Sequence, residues 1–165
     1  MINPVFGPIK CPLLVACVIL AGCRGLNSAK GPKAADALAG KAWQVKKNKD
    51  YQAVIAHAKK CIKYNEEESV KMQKVMTEPV PTSRDDLNKE AVTAKWALNY
   101  VGASYFVLGR AYEDLGKPAE ALKAYQHLVK TLPFAHCWDP KGYYWKPASV
   151  ARKRIEGLET ALKQQ

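Results

Sequence analysis

The sequence predicts an all-α fold, and three observations support this. Alternation of apolar and polar residues with a period of two is almost absent, and no Asn-Gly or Asp-Gly pair marks a hairpin turn. Alanine and lysine, which both favour helices, are abundant. Apolar residues recur at steps of three and four along most of the chain, as they do on the buried face of a helix.

The first two predicted helices cover residues 33–47 and 51–76. Pro32 precedes the first, and Asp50 is placed to cap the second with its side-chain oxygen. Apolar residues of the second helix recur at helical steps until the charged residues 66–68 interrupt them. One continuous helix is the expectation, and a kink near residue 65 is the alternative.

A proline-containing loop over residues 77–84 follows, because proline ends a helix. Ser83 is placed to cap the next helix, and a long uninterrupted helix is expected over 87–115. Its apolar residues alternate steps of four and three, which is the spacing of packed antiparallel helices. These residues are Leu87, Ala91, Ala94, Leu98, Val101, Tyr105, Leu108, Tyr112 and Leu115.

The remaining chain predicts two further helices and an aromatic loop between them. Gly116 suits the position after a helix end, and Pro118 suits the first turn of the helix that runs to residue 132. Residues 134–146 form the aromatic loop, with a turn at 140–142. A last helix covers 147–163.

Residues 102–135 resemble a tetratricopeptide repeat. That family's 34-residue pattern sets an aromatic residue, Leu-Gly, Tyr, Ala, a second aromatic residue, a small or aliphatic residue and Pro at fixed spacing. The matching residues here are Tyr105, Leu108, Gly109, Tyr112, Ala121, Tyr125, Leu128 and Pro133. The resemblance implies that Gly109 and Ala121 allow two helices to cross closely, that the larger side chains fill the space around the crossing, and that Pro133 ends the second helix.

An earlier helix pair shares the shape of such a repeat but not its signature. Val54 stands at the small position, Ala58 at the aromatic one, and Ala42 where glycine is usual. Because one repeat cannot bury its own faces, we expect residues 33–165 to form a short right-handed stack of antiparallel helix pairs. The helix over 147–163 would cap this stack.

The amino-terminal segment resembles a bacterial lipoprotein signal. Its apolar run, 11–21, is shorter than the roughly 20 residues of a membrane-spanning helix and suits a signal peptide. The residues Leu20-Ala21-Gly22-Cys23 match the lipobox of such signals. The resemblance implies cleavage of residues 1–22 and a diacylglycerol on Cys23, leaving residues 23–32 as a lipidated tether; a buried helix is the alternative.

Charge limits the choice of partner. Cleavage would remove one lysine and no acidic residue, which takes the formal net charge from +11 to +10. In a bacterial envelope, nucleic acid is excluded, and anionic lipid, lipopolysaccharide, peptidoglycan or an acidic protein would attract such a chain. The alternative is that the dispersed lysines only keep helix faces solvated.

No set of residues points to catalysis. The sequence has no G-x-S-x-G, no glycine-rich phosphate loop and no C-x-x-C. His57 with Cys61, and His136 with Cys137, would each supply only two of the four ligands that a structural zinc takes. We therefore expect no enzyme activity, cofactor or metal. Cys61 and Cys137 either form a disulfide or remain as two separately buried thiols.

Two surfaces are candidates for binding. The first is the inner face of the signature repeat, where Asn99, Arg110 and Glu113 are candidate polar contacts. The second is the aromatic loop, where Trp138, Tyr143 and Trp145 are suitable anchors. Alternatively, the loop aromatics cover the open end of the helix stack.

The expected function is that of a non-enzymatic, lipid-anchored envelope scaffold with an unidentified protein or peptide partner. Arg24 replaces the Asp that retains enteric lipoproteins at the inner membrane. In a Gram-negative host we thus expect the periplasmic face of the outer membrane. A lipoprotein that binds a ligand or glycan through its aromatic loop, and a structural protein that binds anionic surfaces, are the alternatives.

Overall fold

The computed structural model describes residues 29–83 and 86–164. The described chain is mostly helical, as expected, but it also contains one two-stranded hairpin. The elements are α1 (Pro32–Lys47), α2 (Tyr51–Lys74), α3 (Lys89–Ala94), α4 (Trp96–Asp114), α5 (Pro118–Thr131), β1 (Cys137–Asp139), β2 (Tyr143–Trp145) and α6 (Pro147–Lys163).

The first two helices form as predicted. Pro32 occupies the first turn of α1, where its missing N–H costs no hydrogen bond. Asp50 caps α2, since its Oδ1 accepts a hydrogen bond from the backbone N–H of Ala53 at 3.1 Å. Helix α2 is continuous through the charged residues 66–68.

Folded structure begins earlier than the predicted tether boundary. Asn65, buried in α2, accepts a hydrogen bond from the backbone N–H of Gly31 at 3.0 Å and donates one to the carbonyl of Ala29 at 3.2 Å. Ala29 itself is buried. The residues directly before α1 are thus fixed against α2.

The predicted helix over 87–115 is in fact two helices. Ser83 accepts a hydrogen bond from the N–H of Asp86 at 2.9 Å, but α3 begins only at Lys89. Helix α3 ends at Ala94, and Lys95 separates it from α4 with a non-helical φ of −94° and ψ of 36°. A regular apolar spacing did not reveal this break.

The α4–α5 turn follows the prediction from its glycine and proline. Gly116 has a left-handed φ of 66°, which glycine adopts without steric cost. Its N–H donates to the carbonyl of Glu113, and the N–H of Lys117 donates to that of Tyr112, both at 2.9 Å. This pair of bonds is a Schellman motif, and Pro118 then begins α5.

The aromatic loop contains the hairpin that the prediction missed. Strands β1 and β2 are antiparallel, and Trp138 faces Tyr144 across them. Residues 140–142 form the connecting loop. The N–H of Gly142 donates to the carbonyl of Asp139 at 2.9 Å, and Gly142 takes a φ of 94°. This is the usual three-residue hairpin loop with glycine in the left-handed position.

The helices share one apolar core around α4. Helix α2 packs between α1 and α4, and α5 packs between α4 and α6; α4 also contacts α1 and α6 directly. The largest fully buried side chains include Tyr125, Leu98, Leu128 and Leu132. Ala42, Val54 and Ala58, the repeat positions compared in the earlier helix pair, are fully buried as well, and so is Cys61.

Candidate functional site

The crossing of α4 and α5 is built around Gly109 and Tyr125. Tyr125 is fully buried, and its ring lies directly over Gly109. A Cβ on Gly109 would be 2.4 Å from Cε1 of that ring, which is closer than carbon atoms pack. Ala121 is fully buried and Leu128 is too. Small residues and large side chains of the signature therefore meet at this crossing.

The other signature residues line the same helix pair. Tyr105 is half-buried; its hydroxyl donates to Oε1 of Glu66 in α2 at 2.7 Å, and its ring stacks on His127 in α5. Burial and the bond to Glu66 raise the pKa of Tyr105 above its usual range. Leu108 is buried and Tyr112 is half-buried. Helix α5 ends two residues before Pro133.

Glu113 is engaged within the fold, which corrects its expected role as a free contact for a partner. Its carboxylate accepts a hydrogen bond from the buried hydroxyl of Tyr125 and another from Nη1 of Arg154 in α6, the latter at 2.9 Å. Burial and the Glu113 bond raise the pKa of Tyr125 far above its usual range. Glu113 therefore joins α4, α5 and α6.

Asn99 is also structural, contrary to the prediction that it contacts a partner. It is buried; its Nδ2 donates to the carbonyl of Val92 at 2.7 Å, and its Oδ1 accepts from the N–H of His136 at 2.9 Å. These bonds fasten α3 and the hairpin segment to α4. Both hydrogen-bonding ends of the Asn99 amide are thus occupied.

Of the three expected contact residues, Arg110 forms the fewest side-chain hydrogen bonds within the described chain. It is half-buried on α4, and its Nε has no hydrogen-bond partner within the described chain. Two ion pairs lie around it: Lys46 of α1 with Asp114 at 2.7 Å, and Arg154 of α6 with Glu113 at 2.9 Å. We call Arg110 and these two ion pairs the Arg110 surface.

An aromatic cluster covers the adjoining part of α4. Phe106 is buried between Trp43 of α1, whose ring centroid is 6.2 Å away, and Trp145 of the hairpin, at 5.1 Å and edge-on. Trp145 is half-buried and packs on the core. It therefore acts as the cover for the helix stack, and its expected role as a binding anchor is not supported.

The other two loop anchors point away from the core. Trp138 is 47% exposed and Tyr143 is 39% exposed, which is unusual for such large side chains. Trp138 packs edge-on against Tyr144, with ring centroids 5.0 Å apart, and Nζ of Lys89 lies 5.6 Å from its ring centroid. We call Lys89, Trp138, Lys141 and Tyr143 the hairpin surface.

A shallow, open hollow lies beside the hairpin surface. Thr82, Ser83, Tyr143 and Tyr144 line its volume of about 250 Å³. It is smaller than the 300–1,000 Å³ clefts that hold most small ligands. The hollow alone therefore gives weak support to a small-molecule site.

The two cysteines of the described chain are separate buried thiols, so the alternative of a Cys61–Cys137 disulfide is not realised. Cys61 lies beneath α1, with its Sγ 3.7 Å from the carbonyl oxygen of Ala35. Burial raises the pKa of Cys61 to about 11 and that of Cys137 to about 12. Both thiols are therefore protonated and unreactive near neutral pH.

Residues 29–83 and 86–164 contain neither a cluster of metal ligands nor a membrane-spanning helix. No three His, Cys, Asp or Glu side chains in these ranges lie together as ligands of one ion. None of the helices described there combines the length and apolar composition needed to cross a bilayer. Residues 1–22, Cys23 and the first part of the predicted tether lie outside the described residues.

Comparison with known proteins adds no relative. No family model, no curated protein sequence and no solved structure matches this chain. The tetratricopeptide and lipoprotein resemblances therefore stay predictions.

Two structural residues escaped the sequence reasoning. A Cβ on Gly102 would lie 2.4 Å from Cβ of Ala135, so this glycine lets the segment after α5 approach α4. The available signal was a glycine inside a predicted helix among mostly apolar residues. Glycine is unfavourable in a helix interior, so its presence there indicates a close approach of another segment. Asn65 carried no comparable signal, since polar residues are expected on a helix surface.

Proposed function

We propose that this chain is a lipid-anchored, non-enzymatic helical-repeat scaffold of a bacterial envelope, with a protein or peptide as its partner. In this proposal α1–α2 and α4–α5 are two tetratricopeptide-like pairs in a right-handed stack, and α6 is the cap. The lipobox over 20–23 would place diacylglycerol on Cys23, with Arg24 favouring the outer membrane in a Gram-negative host.

The observation that carries the scaffold proposal is the order of helix contacts together with the Gly109–Tyr125 crossing. Each helix of the two pairs packs on the next, and α4 contacts both α1 and α6 directly. A stack of helix pairs has this order, because each pair can cover its apolar face only with its neighbours. The first helices of the units then form one continuous surface, made here by α1, α4 and α6.

The partner would bind at the Arg110 surface. The cluster around Phe106 covers the middle of that shared face, whereas Arg110 lies one helical turn further towards the carboxyl end of α4. A half-buried guanidinium that forms no hydrogen bond within the described chain can offer its terminal nitrogens, rather than its buried Nε, to a carboxylate or carbonyl of an extended peptide or helix. Lys46 and Asp114, paired at 2.7 Å, can exchange their partners for charges of the peptide.

Capture from the native envelope tests this proposal. The tagged chain is cross-linked in its own cells and purified, and bound proteins are identified by mass spectrometry. Arg110→Ala should reduce capture of the specific partner at least tenfold, since a charge-assisted hydrogen bond contributes about 1.5–3 kcal/mol. Arg152→Ala, an exposed arginine on α6, is the matched control and should capture normally.

Two results would refute the proposal. Equal capture by wild type and Arg110→Ala would show that the partner does not bind at the Arg110 surface. Mass spectrometry of the purified product that found an uncleaved chain with an unmodified sulfur at Cys23 would show that there is no lipid anchor.

A further inference from the structure

The first described residues and the hairpin lie at the same end of the helix stack. Asn65 fixes Ala29 and Gly31 to α2, and Sγ of neighbouring Cys61 lies 3.9 Å from the carbonyl oxygen of Tyr100 in α4. Tyr100 is in the first turns of α4, so the start of α1 and the start of α4 are adjacent. Lys46 and Asp114, at the other ends of these two helices, pair with each other. The two helices are therefore parallel.

The hairpin packs against this same end of α4. The N–H of His136 bonds to Asn99, and the N–H of Phe134 bonds to Oε1 of Gln73 near the end of α2, at 3.0 Å. Tyr144 and Asp36 of α1 are both close enough to Tyr100 to raise its pKa, together with burial, which is the largest cause. The chain's entry point and the hairpin surface therefore share one end.

This end presents aromatic and basic side chains to the solvent. Trp138 and Tyr143 are exposed, Lys89 lies over the ring of Trp138, and Lys141 is exposed at the tip of the hairpin. Two further lysines, Lys30 and Lys33, are exposed beside the entry point. Tryptophan and tyrosine with neighbouring lysines are the side chains that settle at the headgroup level of a bilayer.

The chain between Cys23 and Ala29 is too short to hold this end far from a lipid. Six residues span at most about 20 Å when fully extended, at 3.3–3.6 Å per residue. Helix α4 has 19 residues and extends about 28 Å away from this end, at 1.5 Å per residue. A lipid on Cys23 would therefore keep this end of the stack within about 20 Å of the bilayer, and if the hairpin also touched the bilayer the Arg110 half of α4 would lie on the far side.

We propose that the hairpin surface rests on the bilayer, with Trp138 inserted at the headgroup level of anionic phospholipid. This inference rests on the lipid anchor of the proposed function. Aromatic insertion supplies the contact, and the net charge of +10 after cleavage attracts the chain to anionic headgroups. The second contact would fix the orientation of the helix stack, which a single attachment point at Cys23 does not determine.

Quenching of tryptophan fluorescence by brominated lipid tests the proposal. The full lipidated chain is reconstituted into vesicles of phosphatidylglycerol and phosphatidylcholine, with bromine near the headgroup end of the acyl chains. Wild type should be quenched, and Trp138→Phe should lose at least half of that quenching. Trp43→Phe also removes one of the four tryptophans, but a partly buried one that packs beside Phe106, and this variant should keep the wild-type quenching.

Lipid composition provides the second arm. Vesicles of phosphatidylcholine alone, without phosphatidylglycerol, should lower the quenching of wild type at least twofold at 0.1 M salt. At this salt concentration, charges closer than about 10 Å still attract each other, so lysines at the bilayer surface respond to the loss of anionic headgroups. Circular dichroism of each variant checks that its helices are retained. Equal quenching of wild type and Trp138→Phe, with both folded, overturns the proposal.

The outcomes separate this inference from the proposed function. Lipidated Cys23 with an unquenched Trp138 overturns the hairpin contact and leaves the anchor standing. An unmodified Cys23 with quenched Trp138 on added phosphatidylglycerol vesicles overturns the anchor and supports the contact. A Trp138 that responds to soluble peptidoglycan fragments but not to brominated lipid overturns the contact and supports a glycan site instead.

Discussion

Replacing Gly109 by alanine tests the packing on which the helix stack depends. The added Cβ would lie 2.4 Å, 2.6 Å and 2.8 Å from three carbon atoms of the Tyr125 ring. Carbon atoms pack at about 3.5–4.0 Å, so the ring must withdraw by about 1 Å. Tyr125 is fully buried and its hydroxyl bonds to Glu113, so the ring has no free space in which to move.

The expected loss of stability combines three contributions. Overpacking a core costs about 1–3 kcal/mol, and an overlap with three ring atoms favours the upper half of that range. A weakened Tyr125–Glu113 hydrogen bond costs up to about 1.5–3 kcal/mol because its acceptor is charged. The higher helix propensity of alanine offsets about 1 kcal/mol of this loss. The free energy of unfolding should therefore fall by about 2–4 kcal/mol.

Urea unfolding of the full chain, followed by circular dichroism, measures this change with the slope held equal between variants. Gly157→Ala is the matched control, because Gly157 lies within α6 with nothing within 4 Å of the added Cβ. It should stabilise by about 0.5–1 kcal/mol. Adding Tyr125→Leu to Gly109→Ala should cost less than the sum of the two single changes. Equal stability of the two alanine variants would refute the proposed crossing.

Three further predictions concern buried polar groups. Asn99→Ala should lower the free energy of unfolding by about 2–4 kcal/mol in the same urea assay, since the buried N–H of His136 loses its partner and the carbonyl of Val92 loses one of its two donors. A loss below about 0.5 kcal/mol would contradict this. Burial lowers the pKa of His136 below its usual 6.5, so the folded state binds fewer protons, and stability should fall as the pH drops through about 6.5 towards 5. His136→Gln should flatten this decline, and an unchanged pH profile would exclude the assignment. Cys61 and Cys137 should resist iodoacetamide at pH 8 until urea is added, because burial raises their pKa to about 11 and about 12; a peptide linking the two by a disulfide would contradict this.

Most helix ends were predictable because local chemistry sets them. Pro32 and Pro118 begin helices, and Gly116 ends one, through restrictions on backbone angles that do not depend on tertiary contacts. Asp50 caps α2 through a bond to a residue three positions later. Each of these signals lies within a few residues of the boundary it sets.

The break at Lys95 was not predictable from the apolar spacing, since the stripe continues through it. Hydrogen bonds of Lys95 and Asn99 surround the end of α3. The carbonyl of Val92 accepts one bond from the N–H of Lys95 and another from Nδ2 of Asn99, while the N–H of Asn99 donates to the carbonyl of Lys95. The bond from Asn99 to His136 belongs to the same arrangement. A partner 37 residues away in sequence cannot be inferred from a helical period.

The hairpin was missed for a different reason. Its strands have three residues each, too few to display a period of two. The available signal was the turn itself: Asp139-Pro140-Lys141-Gly142, with Oδ1 of Asp139 accepting from the N–H of Lys141 at 2.9 Å, between residues of high strand propensity. The sequence did indicate a turn at 140–142, and only its consequence for pairing was overlooked.

The face of α4 explains why only one of the three inner-face candidates remains open to a partner. Residues 99, 106, 110 and 113 share this face at helical spacing, so the sequence marks them equally. What covers each residue is decided by other elements: the segment before β1 takes the amide of Asn99, Trp145 covers Phe106, and Arg154 with Tyr125 takes Glu113. Arg110 lies half-buried at the edge of this covered area; its Nε is buried without a partner, and none of its side-chain nitrogens forms a hydrogen bond within the described chain. In the proposed function, binding at this face therefore depends on Arg110 first, and a partner whose capture survives Arg110→Ala would have to use another surface.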